Sequence, residues 1–115
     1  MRAIQVLLVL GSLWLGGITM AADILLVFTH EYCGPCQSFK HDMAADENLL
    51  ANWTVEVFDI KTAKEIAADF NVKTVPCFIV VTVDKDGVIN KTNEQRREVG
   101  YTSKDKLTRW LNRKR

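Results

Sequence analysis

Cysteine, proline and glycine are all scarce: three, two and six residues in a chain of 115. Three cysteines are too few for a domain held together by a dense disulfide framework. So little proline and glycine excludes collagen-like and linker-like chains. Charge of one sign is missing as well, since 15 Lys+Arg face 14 Asp+Glu for a formal net charge of +1. That balance is not the strongly basic one of a nucleic-acid binder, and no nucleic-acid partner is expected. There is no internal repeat and no low-complexity segment. What is present is 48% hydrophobic and 25% charged residues, a globular composition of about one small domain.

One apolar run is long. Met1-Arg2 gives a short positive start, and Ala3 to Ile18 has strongly polar side chains only at Gln5 and Ser12. Thr19-Met20-Ala21-Ala22 then supplies small residues at which a signal peptidase could cut, after Ala21 or Ala22. This order is that of a secretory signal, so residues 1–22 are read as a signal peptide and residues 23–115 as the folded domain. The alternative is an uncleaved N-terminal anchor, because Ala3 to Ala22 is just long enough to span a bilayer. Ile24 already begins a strand-like run, which would leave such an anchor no linker. Either way the domain is expected outside the cytoplasm, in the periplasm, where disulfides persist. Without Arg2 the domain carries 14 Lys+Arg against 14 Asp+Glu. A domain this small is expected to hold only a few kcal/mol of stability.

Strands and helices then alternate. Ile24 to Thr29 is a continuous apolar run that fits a strand buried on both faces. Pro35 suits the first turn of a helix running to about Leu50, bent near Asp46, with Phe39 and Met43 on one face. Trp53 to Ile60 is a second strand. Thr62-Ala63-Lys64-Glu65 has capping-box spacing and opens a short helix with Ile66, Ala67 and Phe70 as its stripe. Asn71 is placed as its left-handed stop. Val75-Pro76 reads as extended, Cys77 to Val83 as a third strand, and Asp86-Gly87 as a turn. A fourth strand falls within Val88 to Tyr101, with Asn90 to Gln95 as loop. Thr102 or Ser103 caps a last helix whose Leu107, Trp110 and Leu111 share a face. The order is β-α-β-α-β-β-α.

The chemistry lies in Cys33-Gly34-Pro35-Cys36. Two thiols at this spacing at a helix start can close a disulfide within one turn. Unsatisfied amides and the positive end of the helix dipole favour a thiolate, lowering the Cys33 pKa below that of a free thiol. A thiolate is the attacking species in disulfide exchange. Cys33 is therefore expected as the exposed nucleophile and Cys36, one turn in, as the shielded resolving thiol. Zinc would need four ligands, and Cys77, His30 and His41 do not form a second pair. Haem attachment would need His where Gln37 stands. A structural disulfide remains an alternative.

These residues resemble the thioredoxin family. Cys33-Gly34-Pro35-Cys36 matches that family's active-site tetrapeptide at every position, Thr74-Val75-Pro76 falls where the family has its cis-proline, and Val99-Gly100 matches the glycine before its last helix. The resemblance covers residues 23–115. It implies an α/β thioredoxin-like fold, a central mixed sheet of about four strands flanked by helices. It further implies a cis Pro76 lying against the Cys33–Cys36 pair, with the Val75 backbone free to pair with an extended peptide. Gly34, Pro35 and Tyr32 would join Val75 and Pro76 in binding substrate. No cofactor and no metal are implied.

The departures are specific. The family's buried acid, six residues before the nucleophile, is here Val27, and its accompanying lysine falls at about Val55. Glu31 or water is the expected substitute for moving the Cys36 proton. Tyr32 and Thr29 replace tryptophans, and Asn90 to Arg97 looks like an insertion. His30, three residues before Cys33, would lower the thiol pKa as an imidazolium, or is simply a solvent-facing loop residue. Cys77 is either a third redox thiol or a metal partner for the pair or, more ordinarily, a small core residue. Arg96-Arg97 reads as solvated surface, with an acidic partner as the alternative.

The expected function is a secreted thiol–disulfide oxidoreductase acting on protein disulfides. Gly34-Pro35 between the cysteines resembles the reducing end of the family, so reduction is the expected direction, fed by a membrane electron-transfer partner, a thiol reductase or oxidase. The alternatives are a disulfide oxidase or isomerase of the same fold, or a non-catalytic thioredoxin-like module that binds a partner or holds a metal. A monomer is expected.

Overall fold

The computed structural model describes residues 22–83, 86–89 and 91–113. Residues 1–21 of the expected signal peptide, Asp84 and Lys85 just before the expected turn, Asn90, and the terminal Lys114-Arg115 lie outside the described residues. In chain order the elements are β1 (Ala22–Thr29), α1 (Gly34–Ala45), β2 (Thr54–Asp59), α2 (Lys64–Asp69), β3 (Cys77–Val83), a 3-10 turn (Lys91–Asn93), β4 (Glu94–Val99) and α3 (Lys104–Asn112). One four-stranded sheet has the order β2-β1-β3-β4. It is mixed: β1 pairs in parallel with β2 and antiparallel with β3, which pairs antiparallel with β4. Among the described residues no helix is long and apolar enough to cross a membrane.

The continuous apolar run explains the place of β1. Leu25 to Thr29 are fully buried, which a strand achieves only with neighbours on both edges and helices on both faces. Leu25 and Val27 pack with Phe39, Phe78, Val80, Leu107, Trp110 and Leu111. Ile24, Leu26 and Phe28 pack on the opposite face with Ala67, Phe70, Cys77, Ile79 and Val81. The period of two along the strand thus separates a face covered by α1 and α3 from one covered by α2.

Three element boundaries differ from the sequence reading, each for a local reason. α1 stops at Ala45, short of Leu50. Asp46 is extended (φ −133°, ψ 94°), and its Oδ1 accepts the Asn48 N–H at 3.0 Å; this Asx turn competes successfully with the next helical bond. The capping box at Thr62 does not form. Ala63 is the N-cap residue of α2 and makes no side-chain cap, because the Thr62 hydroxyl donates back to the Asp59 carbonyl. Glu94 and Gln95 belong to β4 instead of a loop, so the expected insertion is strand from Glu94 onward. Asn71 does stop α2 in the left-handed region (φ 53°). The Val72 N–H reaches the Ala67 carbonyl and the Asn71 N–H the Ala68 carbonyl, which closes a Schellman turn.

Arg96 and Arg97 are neither a solvated surface nor a docking patch. Alternation along β4 sends them to opposite faces. The Arg96 guanidinium lies 4.8 Å over the Trp110 ring and donates to the Trp110 and Leu111 carbonyls at the end of α3. Arg97 forms a bidentate pair with Glu94 at 2.6 and 2.7 Å and donates to the Phe70 carbonyl at 2.8 Å. Each cation thus ties a helix C-terminus, where carbonyls lack partners, to the edge of the sheet.

Candidate active site

The end of β1 delivers a short turn, residues 30–33, that leads into α1. Cys33 is the N-cap residue of α1 and Pro35 sits in its first turn, where proline's missing N–H costs nothing. Cys33 and Cys36 form a disulfide with Cα atoms 5.2 Å apart. The Cys36 N–H donates to Cys33 Sγ at 3.1 Å. On reduction the same amide faces a sulfur that is best stabilised as the thiolate. Cys33 is partly exposed, Gly34 and Pro35 are exposed, and Cys36 is fully buried. Only the first sulfur is open to an incoming substrate.

The Val75–Pro76 peptide bond is cis. Pro76 is buried and Val75 half-buried. Phe28 of β1 pairs with Cys77 of β3, so Pro76 stands at the same end of the sheet from which the 30–33 turn departs. The Gly100 N–H donates to the Pro76 carbonyl at 2.8 Å, and Gly100 needs its positive φ of 94° to do so. Tyr32, beside the nucleophile position, is 84% exposed.

The remaining candidates occupy other places. Glu31 does not lie beneath α1: its carboxylate is on the surface, 3.2 Å from Lys61 Nζ. Val27 is fully buried in the apolar cluster under α1. Across the parallel ladder its partner is Val57, whereas Val55 pairs with Leu25, so the expected lysine position lies opposite Leu25 and is filled by a valine. Cys77 is a free, buried thiol on the α2 face. The sheet separates it from α1, whose Phe39 packs on the other face. Burial pushes the Cys77 thiol above its ordinary value, against a lowering pull from Arg97, which leaves it protonated and poorly nucleophilic. His41 is exposed on α1. Among the described residues no three His, Cys, Asp or Glu side chains gather to hold a metal.

One supporting contact has no local signal in the sequence. The Tyr101 hydroxyl donates to Asp42 Oδ2 from 59 residues away, and its ring meets Phe39 edge-on with centroids 5.5 Å apart. Asp42 lies in the last turns of α1, which has no basic residue in its last turn, so its carboxylate meets the unfavourable end of the dipole. The phenol relieves this and pins the active-site helix. Tyr101→Phe should lower stability by about 1.5–3 kcal/mol, as expected for a hydrogen bond to a charged group. Urea unfolding checks it, and an unchanged midpoint refutes it. Burial, with Asp42 adding, raises the phenol pKa. The contribution is therefore intact at neutral pH and drains away as pH rises past the phenol's ordinary value of about 10.

The sequence matches the family model described as Thioredoxin over residues 14–113. No curated protein matches significantly. Among solved structures, Fasciola hepatica thioredoxin is similar with a TM-score of 0.61 at 21% identity, covering 83% of each chain. Trypanosoma brucei brucei thioredoxin is similar with a TM-score of 0.60 at 18% identity, covering 83% of this chain and 76% of the other.

Proposed function

The chain belongs to the thioredoxin family, and from that premise we propose that it reduces protein disulfides outside the cytoplasm. The observation that carries the reading is the asymmetry of the pair, a partly exposed Cys33 at a helix N-cap with Cys36 buried one turn behind it. In the reduced protein the Cys33 thiolate attacks one sulfur of a substrate disulfide and displaces the other as a thiolate. Cys36, deprotonated, then attacks Cys33 Sγ and displaces the second substrate thiolate. Two electrons pass to the substrate, and Cys33–Cys36 is left as the disulfide seen here. A dithiol donor must reduce it again, and outside the cytoplasm a membrane electron-transfer partner fits that need. Val75, Pro76, Tyr32, Gly34 and Pro35 are assigned to substrate, mostly through backbone pairing along Val75. Cys33, Cys36 and Pro76 all come from one chain, so a monomer suffices.

The export reading rests on the order of residues 1–22. It also agrees with the start of β1 at Ala22, since cleavage after Ala21 or Ala22 would leave the central strand with its apolar core. The reducing direction rests on Gly34-Pro35. The reduction potential of the Cys33–Cys36 pair tests it: equilibration of purified protein across thiol buffers, then alkylation and mass spectrometry, should return about −270 mV, as for thioredoxin. A value near that of a strong oxidant, about −120 mV, would overturn the reductase in favour of an oxidase or isomerase. Failure of the two thiols to cross-link would favour a binding module.

A further inference from the structure

We propose that His30 is a positioning residue for the substrate-facing turn, holding Tyr32 beside Cys33 through a neutral imidazole. The inference deepens the function proposed above and rests on it. His30 takes two successive amides. Its Nδ1 accepts the Tyr32 N–H at 3.1 Å, and its backbone carbonyl accepts the Cys33 N–H at 3.3 Å. Both amides precede α1 and have no helical partner of their own. The imidazole also lies against the Tyr32 ring, centroids 5.5 Å apart. The described residues give Tyr32 no other hydrogen bond or ring contact, and its side chain is 84% exposed. Of the contacts to Tyr32 itself, both come from His30, while Gln37 Nε2 ties the neighbouring Glu31 carbonyl at 3.2 Å.

An Nδ1 that accepts must carry a lone pair, so the proton of the neutral ring sits on Nε2. A protonated imidazole donates at both nitrogens. The Tyr32 contact then becomes N–H against N–H and is lost, while the Cys33 N–H keeps the His30 carbonyl. The charged groups around this turn are Glu31 within it, Lys61 from the segment after β2, and Asp59 at the end of β2. Glu31 and Lys61 are paired with each other, and Asp59 Oδ1 accepts the Lys61 amide. An imidazolium near Cys33 would also favour the thiolate. The two effects of protonation thus pull apart: a faster sulfur on a poorer platform, seen as an intact kcat with a raised KM for protein substrates.

His30→Asn and His30→Ala separate the roles, because asparagine places an amide oxygen near the Nδ1 position and takes up no proton. With dithiothreitol as donor and insulin as probe, His30→Ala should raise KM about fivefold, the worth of one hydrogen bond, with kcat little changed. His30→Asn should restore KM to within about twofold of the native value at about pH 8. On acidification, the native KM should climb relative to that of His30→Asn. In the oxidised protein, where neither cysteine titrates, the Tyr32 amide resonance should move together with the His30 ring resonances. An unchanged KM in His30→Ala, an Asn variant as poor as the Ala variant, or a Tyr32 amide indifferent to imidazole protonation overturns the proposal. If the native protein reduces no insulin at any pH, the functional reading fails instead, and the amide titration still decides the role of His30.

Discussion

Cys36→Ser should give a protein that attacks once and stops. Cys33, partly exposed at the α1 N-cap, keeps its approach to a substrate disulfide, but no second thiol remains to break the resulting bond. Disulfide-linked adducts should accumulate and resist everything short of added thiol, while turnover falls about 10³-fold or more, the scale seen when one member of a catalytic unit is removed. Cys33→Ser should lose the same turnover without any adduct, because the remaining sulfur is fully buried. Mass spectrometry of the non-reduced reaction distinguishes them. Adducts of equal abundance in both variants would mean that the two sulfurs are equally accessible, and the division of labour between them would be wrong. Cys77 should contribute to neither pattern, since it is buried on the other side of the sheet with burial raising its pKa.

Val27→Asp should be strongly destabilising. It places a carboxylate where the thioredoxin family commonly has one, but in surroundings that no longer accept it. Val27 is fully buried among Leu25, Phe39, Phe78 and Trp110, and across the ladder it meets another valine. An uncompensated charge in such a place costs about 3–5 kcal/mol, set against the few kcal/mol of stability expected of a domain this small. Burial would raise the folded-state pKa of the new acid above its unfolded value of about 3.9. The folded state would then bind more protons than the unfolded one between those two values. The loss relative to the native protein should be smallest below about pH 4, where only the neutral carboxyl is buried, and grow as pH rises through that window. Urea unfolding of both proteins at about pH 4 and pH 8 reads this directly. A loss independent of pH would mean that the new carboxyl finds a partner or water. The same apolar floor bears on the native mechanism. No described carboxylate hydrogen-bonds Cys36, so its proton leaves without a built-in acid of the family type.

The sequence carried the local features well. The buried central strand was legible because Ile24 to Thr29 has no polar break apart from its last residue. The left-handed stop at Asn71 and the cap at Ser103, whose Oγ accepts the Lys106 N–H, follow from residue chemistry at fixed offsets. The cysteine pair was legible because its whole geometry lies within one turn. The misreadings occurred where a short polar side chain had two backbone partners to choose from, Asp46 taking Asn48 and Thr62 turning back to Asp59. Contacts between distant segments left no trace at all. Arg96 and Arg97 look like surface charge until β4 is laid beside β3 and each finds a helix end to hold. Tyr101 meets Asp42 only once α1 and the loop before α3 converge. His30 was visible as a histidine near a thiol, but the acceptor role of its Nδ1 required the turn.

Among the described strands β1 comes first in the chain, although it lies inside the sheet. β1 ends at Thr29, yet its two neighbours are completed only at Asp59 and Val83. A nascent chain therefore carries this apolar strand without its first neighbour until Asp59 and without its second until Val83. Pairings this distant in sequence, one of them parallel, make for slow assembly, with Ile24 to Phe28 open to any chaperone or translocation factor that binds exposed apolar segments. The Cys33–Cys36 bridge spans only three positions and encloses almost none of this topology. Its closure leaves the late steps of folding unconstrained, and the protein can cycle between thiols and disulfide without reopening the architecture that holds them.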